Sequence, residues 1–173
     1  RQLTGGARAL AGGDFSARVS IDSRDELGRL GASFNDMAGR IQEQSAALLR
    51  ETEQRYRQLF ETMSEGFCAV EVIFGEDAAA VDLRFLEVNA AFEAKSGLKG
   101  VQGKLVSEVR GIEHQRLETY GRIAITGEPA HLDAVPGAMG RWFDVHAYRI
   151  GRPQDHTIAI LFNDVTDVRQ ARQ

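Results

Sequence analysis

Between positions 27 and 48 the apolar residues of this chain recur at spacings of three and four. Leu27, Leu30, Phe34, Met37, Ile41 and Leu48 fall on one stripe, with Gln44 in the slot between the last two. A repeat averaging about 3.5 residues puts that stripe on one side of a helix as a coiled-coil seam, which a lone globular domain rarely needs. The seam is therefore expected to zip in parallel against a second copy of the chain, giving a homodimer. Ser23 or Asp25 can cap the first free N–H groups of the helix, and Asp25 and Glu26 suit its positive end. From residue 36 to residue 64 there is no proline, and Gly39 is the only glycine. The helix is expected to continue to about Met63, a length of roughly 50–60 Å. Past Leu48 the stripe continues at Thr52, Tyr56, Leu59 and Met63, with a step of four where the rhythm requires three. Such a stutter locally unwinds a coiled coil.

Ahead of this helix, residues 1–11 form a short helical pattern with Leu3, Ala7 and Leu10 on one face. The pair Gly5-Gly6 weakens it by about 1 kcal/mol per glycine relative to alanine. Gly12-Gly13-Asp14 stops it, and residues 14–24 read as an extended connector anchored by Phe15, Val19 and Ile21. From Gly66 onward the period changes to two, and strands are predicted over 67–74, 81–88, 130–135, 141–150 and 157–164. The last is apolar on both faces, so it should be central and covered on both sides, with the helix at 56–63 as its cover. Short helices are expected after Asn89, over 113–126, and again from Val165. Asn89 is read as the cap of its helix and as the pin of the preceding strand end. The fold class is α+β.

The composition narrows the function. A chain of 173 residues accommodates one domain of about 110–120 residues plus a helical segment. Hydrophobic residues make up 43% and charged residues 27%, enough apolar surface for a packed core. A net charge of −4, without a basic patch interleaved with aromatics, argues against nucleic acid as a partner. Cys68 is the single cysteine, so no internal disulfide forms and a reducing compartment is the default. His114, His131, His146 and His156 are scattered without metal-ligand spacing, and no metal site is expected. The longest wholly apolar run covers only 158–162, so no transmembrane span or signal peptide is read. The chain opens on Arg1 rather than Met and reads as an excerpt of a longer protein.

Two families are visible in these residues. Residues 1–44 resemble a HAMP domain, the dimeric relay found after membrane spans in bacterial receptors and sensor kinases. The resemblance rests on Ala11-Gly12-Gly13-Asp14-Phe15, on Val19 and Ile21, on Asp25-Glu26-Leu27-Gly28 and on Phe34-Asn35-Asp36-Met37. The proline that usually opens the first helix of that family is absent. Residues 55–167 resemble a PAS domain, a five-stranded antiparallel sheet with helices on one face. Here the carriers are Tyr56-Arg57-Gln58-Leu59-Phe60-Glu61, Glu87-Val88-Asn89-Ala90-Ala91-Phe92, Gly97-Leu98, Gly103-Lys104, Gly127-Glu128-Pro129 and Asn163-Asp164-Val165-Thr166. The expected organisation is a partial HAMP domain over 1–44, a helical linker over 45–63, a PAS domain over 64–167 and the start of an output helix over 168–173. The resemblance implies a membrane-anchored parent, a histidine kinase or a cyclic-di-GMP enzyme, with its effector after this segment on the cytoplasmic side of the inner membrane.

No catalytic residues are expected, since no nucleophile–base pair, metal cluster or ATP cradle is present. Gly12-Gly13-Asp14-Phe15 stops a helix; the eleven residues before it cannot supply a cyclase fold. Gly97, Gly100 and Gly103 shape a loop without the helix a phosphate cradle requires. His114 lacks further haem cues, and Cys68 lies on a strand and not on the helix that carries a flavin-adduct cysteine, so neither cofactor is expected. Phe85, Val88, Phe92, Leu105, Leu117, Tyr120, Phe143, Val145 and Ile160 form the inward set and the candidate wall of a small-molecule pocket. Trp142, His146 and Tyr148 share the other face, as a ligand site, a dimer patch or an ordinary aromatic face. Asp25, Glu26, Gly28, Asn89, Asp164 and Thr166 are the candidate relay residues, with Arg55 or Arg57 as an ionic partner of Asp164. Three functions remain open: a conformational relay to an effector, a ligand-sensing module, and an inert dimerisation element.

Overall fold

The computed structural model describes residues 2–20, 24, 26–109, 116–137 and 140–171. It separates into two compact units, Arg1–Gln58 and Leu59–Gln173. Ile21, Asp25 and His114 lie outside the described residues.

In the first unit, α1 (Gln2–Ala11) ends in a tight turn and a connector leads to α2 (Glu26–Thr62), a single helix of 37 residues. The connector is held to α2 by a side-chain imitation of strand pairing. The Asn35 carbonyl oxygen accepts from Val19 N–H at 2.9 Å, and its amide donates to Val19 C=O at 2.8 Å. Arg18 adds a hydrogen bond to Gln42 at 3.0 Å. Val19, Gly31 and Ala38 are buried, so α2 turns its small residues toward the connector. The seam residues divide: Leu27, Leu30, Met37 and Leu48 are 54%, 54%, 46% and 66% exposed, whereas Phe34 and Ile41 are half-buried and the Phe34 ring lies beside Gly6 of α1.

Gly5 and Gly6 turn out not to be equivalent. A Cβ on Gly6 would stand 2.5 Å from a Val19 methyl and 3.2 Å from the Phe34 ring, whereas one on Gly5 would meet nothing. The reduced helix propensity at Gly6 is the cost of close packing at that point.

The second unit is a five-stranded antiparallel sheet in the order β2-β1-β5-β4-β3. Its strands are β1 (Gly66–Phe74), β2 (Ala80–Val88), β3 (Ala130–Pro136), β4 (Trp142–Ile150) and β5 (Thr157–Asp164). The helices α3 (Ala90–Ser96) and α4 (Leu117–Thr126) pack on one face, and α5 (Thr166–Gln170) follows β5. The register aligns Cys68, Ile160 and Ala147 across β1, β5 and β4, and Val70, Ile158 and Arg149 in the next row. Period-two alternation then sends Cys68, Val70, Val72, Ile158, Ile160, Phe143 and Val145 into one core with Phe92, Ile123 and Ala124 from the helices.

β5 is central, as its double-sided apolar pattern predicts. The end of the expected helical cover reaches β1 beside it, where Phe67 is the register partner of Leu161 in β5. Leu59 is 68% exposed, and at the end of α2 Phe60 packs edge-on against Phe67 at 5.1 Å. On the outer face of β5, Ala159 is 1% exposed and lies in register between Ala69 and Tyr148. A bulge between Ala69 and Val70 lets Phe85 and Val88, three apart, both pack on the core. Among the described residues no helix is long and apolar enough to cross a membrane.

The glycine pair gives a two-sided test. Gly6→Ala is expected to destabilise the helical unit by about 1–3 kcal/mol through overpacking against a stiff valine. Gly5→Ala is expected to stabilise it by up to about 1 kcal/mol. Urea unfolding followed by helical circular dichroism reads both.

Candidate functional site

Two junctions and one cavity stand out in the second unit. The entrance junction is built on Asn89, 1% exposed. It caps α3 by accepting from Phe92 N–H at 2.9 Å, and the same oxygen accepts from Phe67 N–H at 2.9 Å. Its amide donates to Phe60 C=O at 3.2 Å and to Glu65 C=O at 3.0 Å. One side chain therefore holds the last turn of α2, the segment after it, the start of β1 and the start of α3. The Glu61 carboxylate adds a bond to Ala90 N–H at 3.2 Å.

The exit junction lies at the end of β5. The Thr166 hydroxyl donates to the Asp164 carboxylate at 2.5 Å and accepts from Trp142 N–H at 2.9 Å, and Thr166 N–H donates to Asp164 at 3.0 Å. These bonds from Thr166, the hydroxyl first, hold the Asp164 carboxyl below its ordinary value, and Arg141 adds a smaller coulombic pull. The ionic partner of Asp164 is thus Arg141, at 3.6 Å, and not Arg55 or Arg57, which pair one turn back with Glu51 and Glu53. Strand register explains the difference: Asp164 lies opposite Phe143 at the start of β4, two residues after Arg141. The first turn of α5 is further anchored by the Arg169 guanidinium, 3.6 Å over the Trp142 ring.

The two junctions touch. Gly66 and Phe162 are register partners, and the Asn163 amide donates to the Glu65 carboxylate at 3.0 Å while accepting from the Lys95 ammonium at 3.3 Å. Arg141 also reaches Lys95 C=O at 3.3 Å. Asn163 belongs to the closing tetrapeptide of the sequence but is not among its candidate relay residues. Its place beside Asp164, on the opposite face of the strand, was the available signal. Of the remaining relay candidates, Glu26 is exposed and Gly28 half-buried in the first turn of α2.

The cavity, about 630 Å³, opens between the inner sheet face and the helices. Six of the nine predicted wall residues line it: Phe85, Phe92, Tyr120, Phe143, Val145 and Ile160. Val88, Leu105 and Leu117 do not. Val88 and Leu117 pack against the core beside it, and Leu105 forms an isolated bridge to Arg84 on the edge strand β2. Phe162, two residues beyond Ile160 on the same strand face, belongs to the wall and was missed. It completes an edge-to-face series with Phe92 at 5.7 Å and Phe143 at 5.3 Å, and Phe85 joins Phe92 at 5.7 Å. Arg116 and Tyr120 also line it; burial pushes the Tyr120 hydroxyl pKa up, and the Arg116 charge pulls it back. Cys68 also faces the cavity; burial drives its thiol up to about 12, so it is a core thiol and not a nucleophile.

On the outer face Trp142 is engaged by Arg169, while His146 is exposed and Tyr148 is 39% exposed. The scattered histidines are less scattered in space than in sequence. His131 and His146 are register partners on β3 and β4, and Asp144 joins them. Gly97, Gly100 and Gly103 all have positive φ, which accounts for their clustering as loop geometry.

A family model of the HAMP domain matches residues 1–43, and a PAS domain model matches residues 54–129. Over 41 residues, 24% of this chain, the sequence is 44% identical to the methyl-accepting chemotaxis protein McpA of Bacillus subtilis. The chain spans only 6% of that protein's length. Among solved structures, the PAS domain of an HTR-like protein from Haloarcula marismortui superposes with a TM-score of 0.52 at 18% identity, over 70% of this chain and 98% of that one. That likeness is one of fold.

The entrance junction predicts a large effect from a small change. Asn89→Ala removes a helix cap and leaves buried partners unmatched, and is expected to cost about 3 kcal/mol. Asn163→Ala, at the more open link, is expected to cost about 1 kcal/mol. Urea titration of both variants checks the ratio. For Asp164, the folded state favours the ionised form. Its contribution is complete above the ordinary carboxyl value of 3.8 and is lost as pH falls through the lowered folded value. A carbon-13 NMR titration is expected to place Asp164 below 3.8 and to move it back toward that value in Thr166→Val.

Proposed function

On the premise that this chain carries a HAMP domain followed by a PAS domain, both non-catalytic signalling modules, we propose that it relays a conformational signal to an effector beyond α5. In this reading two copies pair in parallel along Leu27, Leu30, Phe34, Met37, Ile41 and Leu48. Input from a membrane-anchored segment of the parent protein biases two packings of the paired helices that differ by a few kcal/mol. The linker carries the change along α2, and the effector is a histidine kinase or a cyclic-di-GMP enzyme.

The observation that carries the reading is the direct link between the entrance and exit junctions. The last turn of α2 is gripped by Asn89, the start of α5 by Asp164 and Thr166, and Asn163 joins the two through Glu65. A domain that only dimerised would have no use for a polar bridge between its two chain ends. The exposed seam supports pairing. Each leucine buried there contributes about 1.5–3 kcal/mol, enough for several to hold a dimer.

The cavity favours a second reading, in which a small molecule is the primary input. An aromatic wall with Arg116 and Tyr120 at one end suits an apolar body bearing an acceptor or anionic group. A ligand-dependent melting shift, lost when Val145→Trp fills the space, distinguishes this reading from the helical one.

Pairing is tested by cysteine cross-linking, because the native Cys68 thiol is buried and silent. In a parallel pair Leu48→Cys faces its own copy and is expected to form a disulfide rapidly, whereas Arg50→Cys, on the opposite side of the helix, is not. Sedimentation equilibrium is expected to show a dimer that Leu27→Asp with Leu30→Asp converts to monomer. A wild-type monomer at tens of micromolar would overturn the relay.

A further inference from the structure

The outer sheet face carries a cluster that neither the seam, the junctions nor the cavity uses. His131 on β3 and His146 on β4 are directly opposed in the antiparallel register. Asp144 precedes His146 by two residues and so projects from the same face. The two imidazole rings lie flat on one another, 4.2 Å between centroids and 4° from parallel. Both turn the same nitrogen toward one carboxylate: His131 Nε2 is 2.5 Å from one oxygen of Asp144, and His146 Nε2 is 3.5 Å from the other. The three donor atoms all lie within 4.8 Å of one another.

A surface ion pair needs one histidine and one carboxylate, and is worth at most about 1 kcal/mol when exposed. It does not need a second imidazole stacked parallel to the first. What the arrangement does provide is three donors converging from two rigid, hydrogen-bonded strands.

We propose that His131, His146 and Asp144 form a binding site for a divalent transition-metal ion of the Zn²⁺ class. Two imidazole nitrogens and one carboxylate oxygen suit Zn²⁺ and its neighbours, whereas Mg²⁺ and Ca²⁺ take oxygen donors. Ligands about 2.0–2.1 Å from a tetrahedral ion sit about 3.3 Å apart. The present donors, all within 4.8 Å of one another, already lie near that spacing. Three protein ligands leave the fourth position to water.

The site would also reach the cavity. β3 is the edge strand, and its register with β4 shifts between Leu132 and Val135, directly after His131. On the opposite face the same two strands supply Val135, Phe143 and Val145 to the cavity wall. A bound ion staples the free edge to its neighbour and stabilises the fold by mass action.

The test uses the full chain without a polyhistidine tag. Zn²⁺ titrated in by calorimetry is expected to bind one ion per chain with micromolar affinity. His131→Ala and His146→Ala are each expected to weaken binding by about tenfold or more, and Asp144→Asn to weaken it as well. All three side chains are solvent-accessible, so circular dichroism should match the wild type. In the wild type, nitrogen-15 NMR is expected to show Nε2 of His131 and His146 shifting on Zn²⁺ addition, while His156, which packs against Phe74, stays put. Binding weaker than millimolar, or binding that survives loss of both His131 and His146, overturns the proposal.

Discussion

A buried primary amide must satisfy two lone pairs and two N–H bonds, or pay for each one left over. Asn89 satisfies all four, and every partner belongs to a different stretch of backbone: residues 60, 65, 67 and 92. The geometry permits little freedom, because shifting any one stretch breaks a bond in low dielectric. The end of the long helix, the first strand and the first packed helix of the mixed unit are therefore set relative to one another by a single side chain. The rest of the sheet is laid onto that strand by register.

The two units are stabilised in different ways. The mixed unit has a contiguous apolar core of strand and helix residues, with Ile123, Ala124 and Ile158 at 0% exposure. The helical unit buries Val19, Gly31 and Ala38 and leaves Leu27, Leu30, Leu48 and Leu49 exposed. Short helices without a packed face are marginal in water.

Strand positions were legible because period two is unambiguous where valine, isoleucine and phenylalanine alternate, and β5 showed its central place by being apolar on both faces. The cap at Asn89 followed from its position between a strand and a helix. What could not be read is pairing across the sheet. Asp164 was assigned an arginine from the preceding helix, but Arg141 is brought to it by register. His131 and His146 are fifteen positions apart in the chain and opposite one another in space. The Asn163 link to Glu65 needs the same information, whereas Phe162 is legible from alternation, two residues beyond Ile160. Local glycine effects were also hidden: propensity treats Gly5 and Gly6 alike, and only the packed Val19 separates them.

Because Gly66 and Phe162 are neighbours in the ladder, the chain enters and leaves the mixed unit on the same rim of its sheet. A displacement applied there has to cross only one inter-strand spacing, about 4.8 Å, to reach the other terminus. The far rim, where residues 75–79 join β1 to β2, lies off that path. The rim that carries both junctions is the short side of the load path.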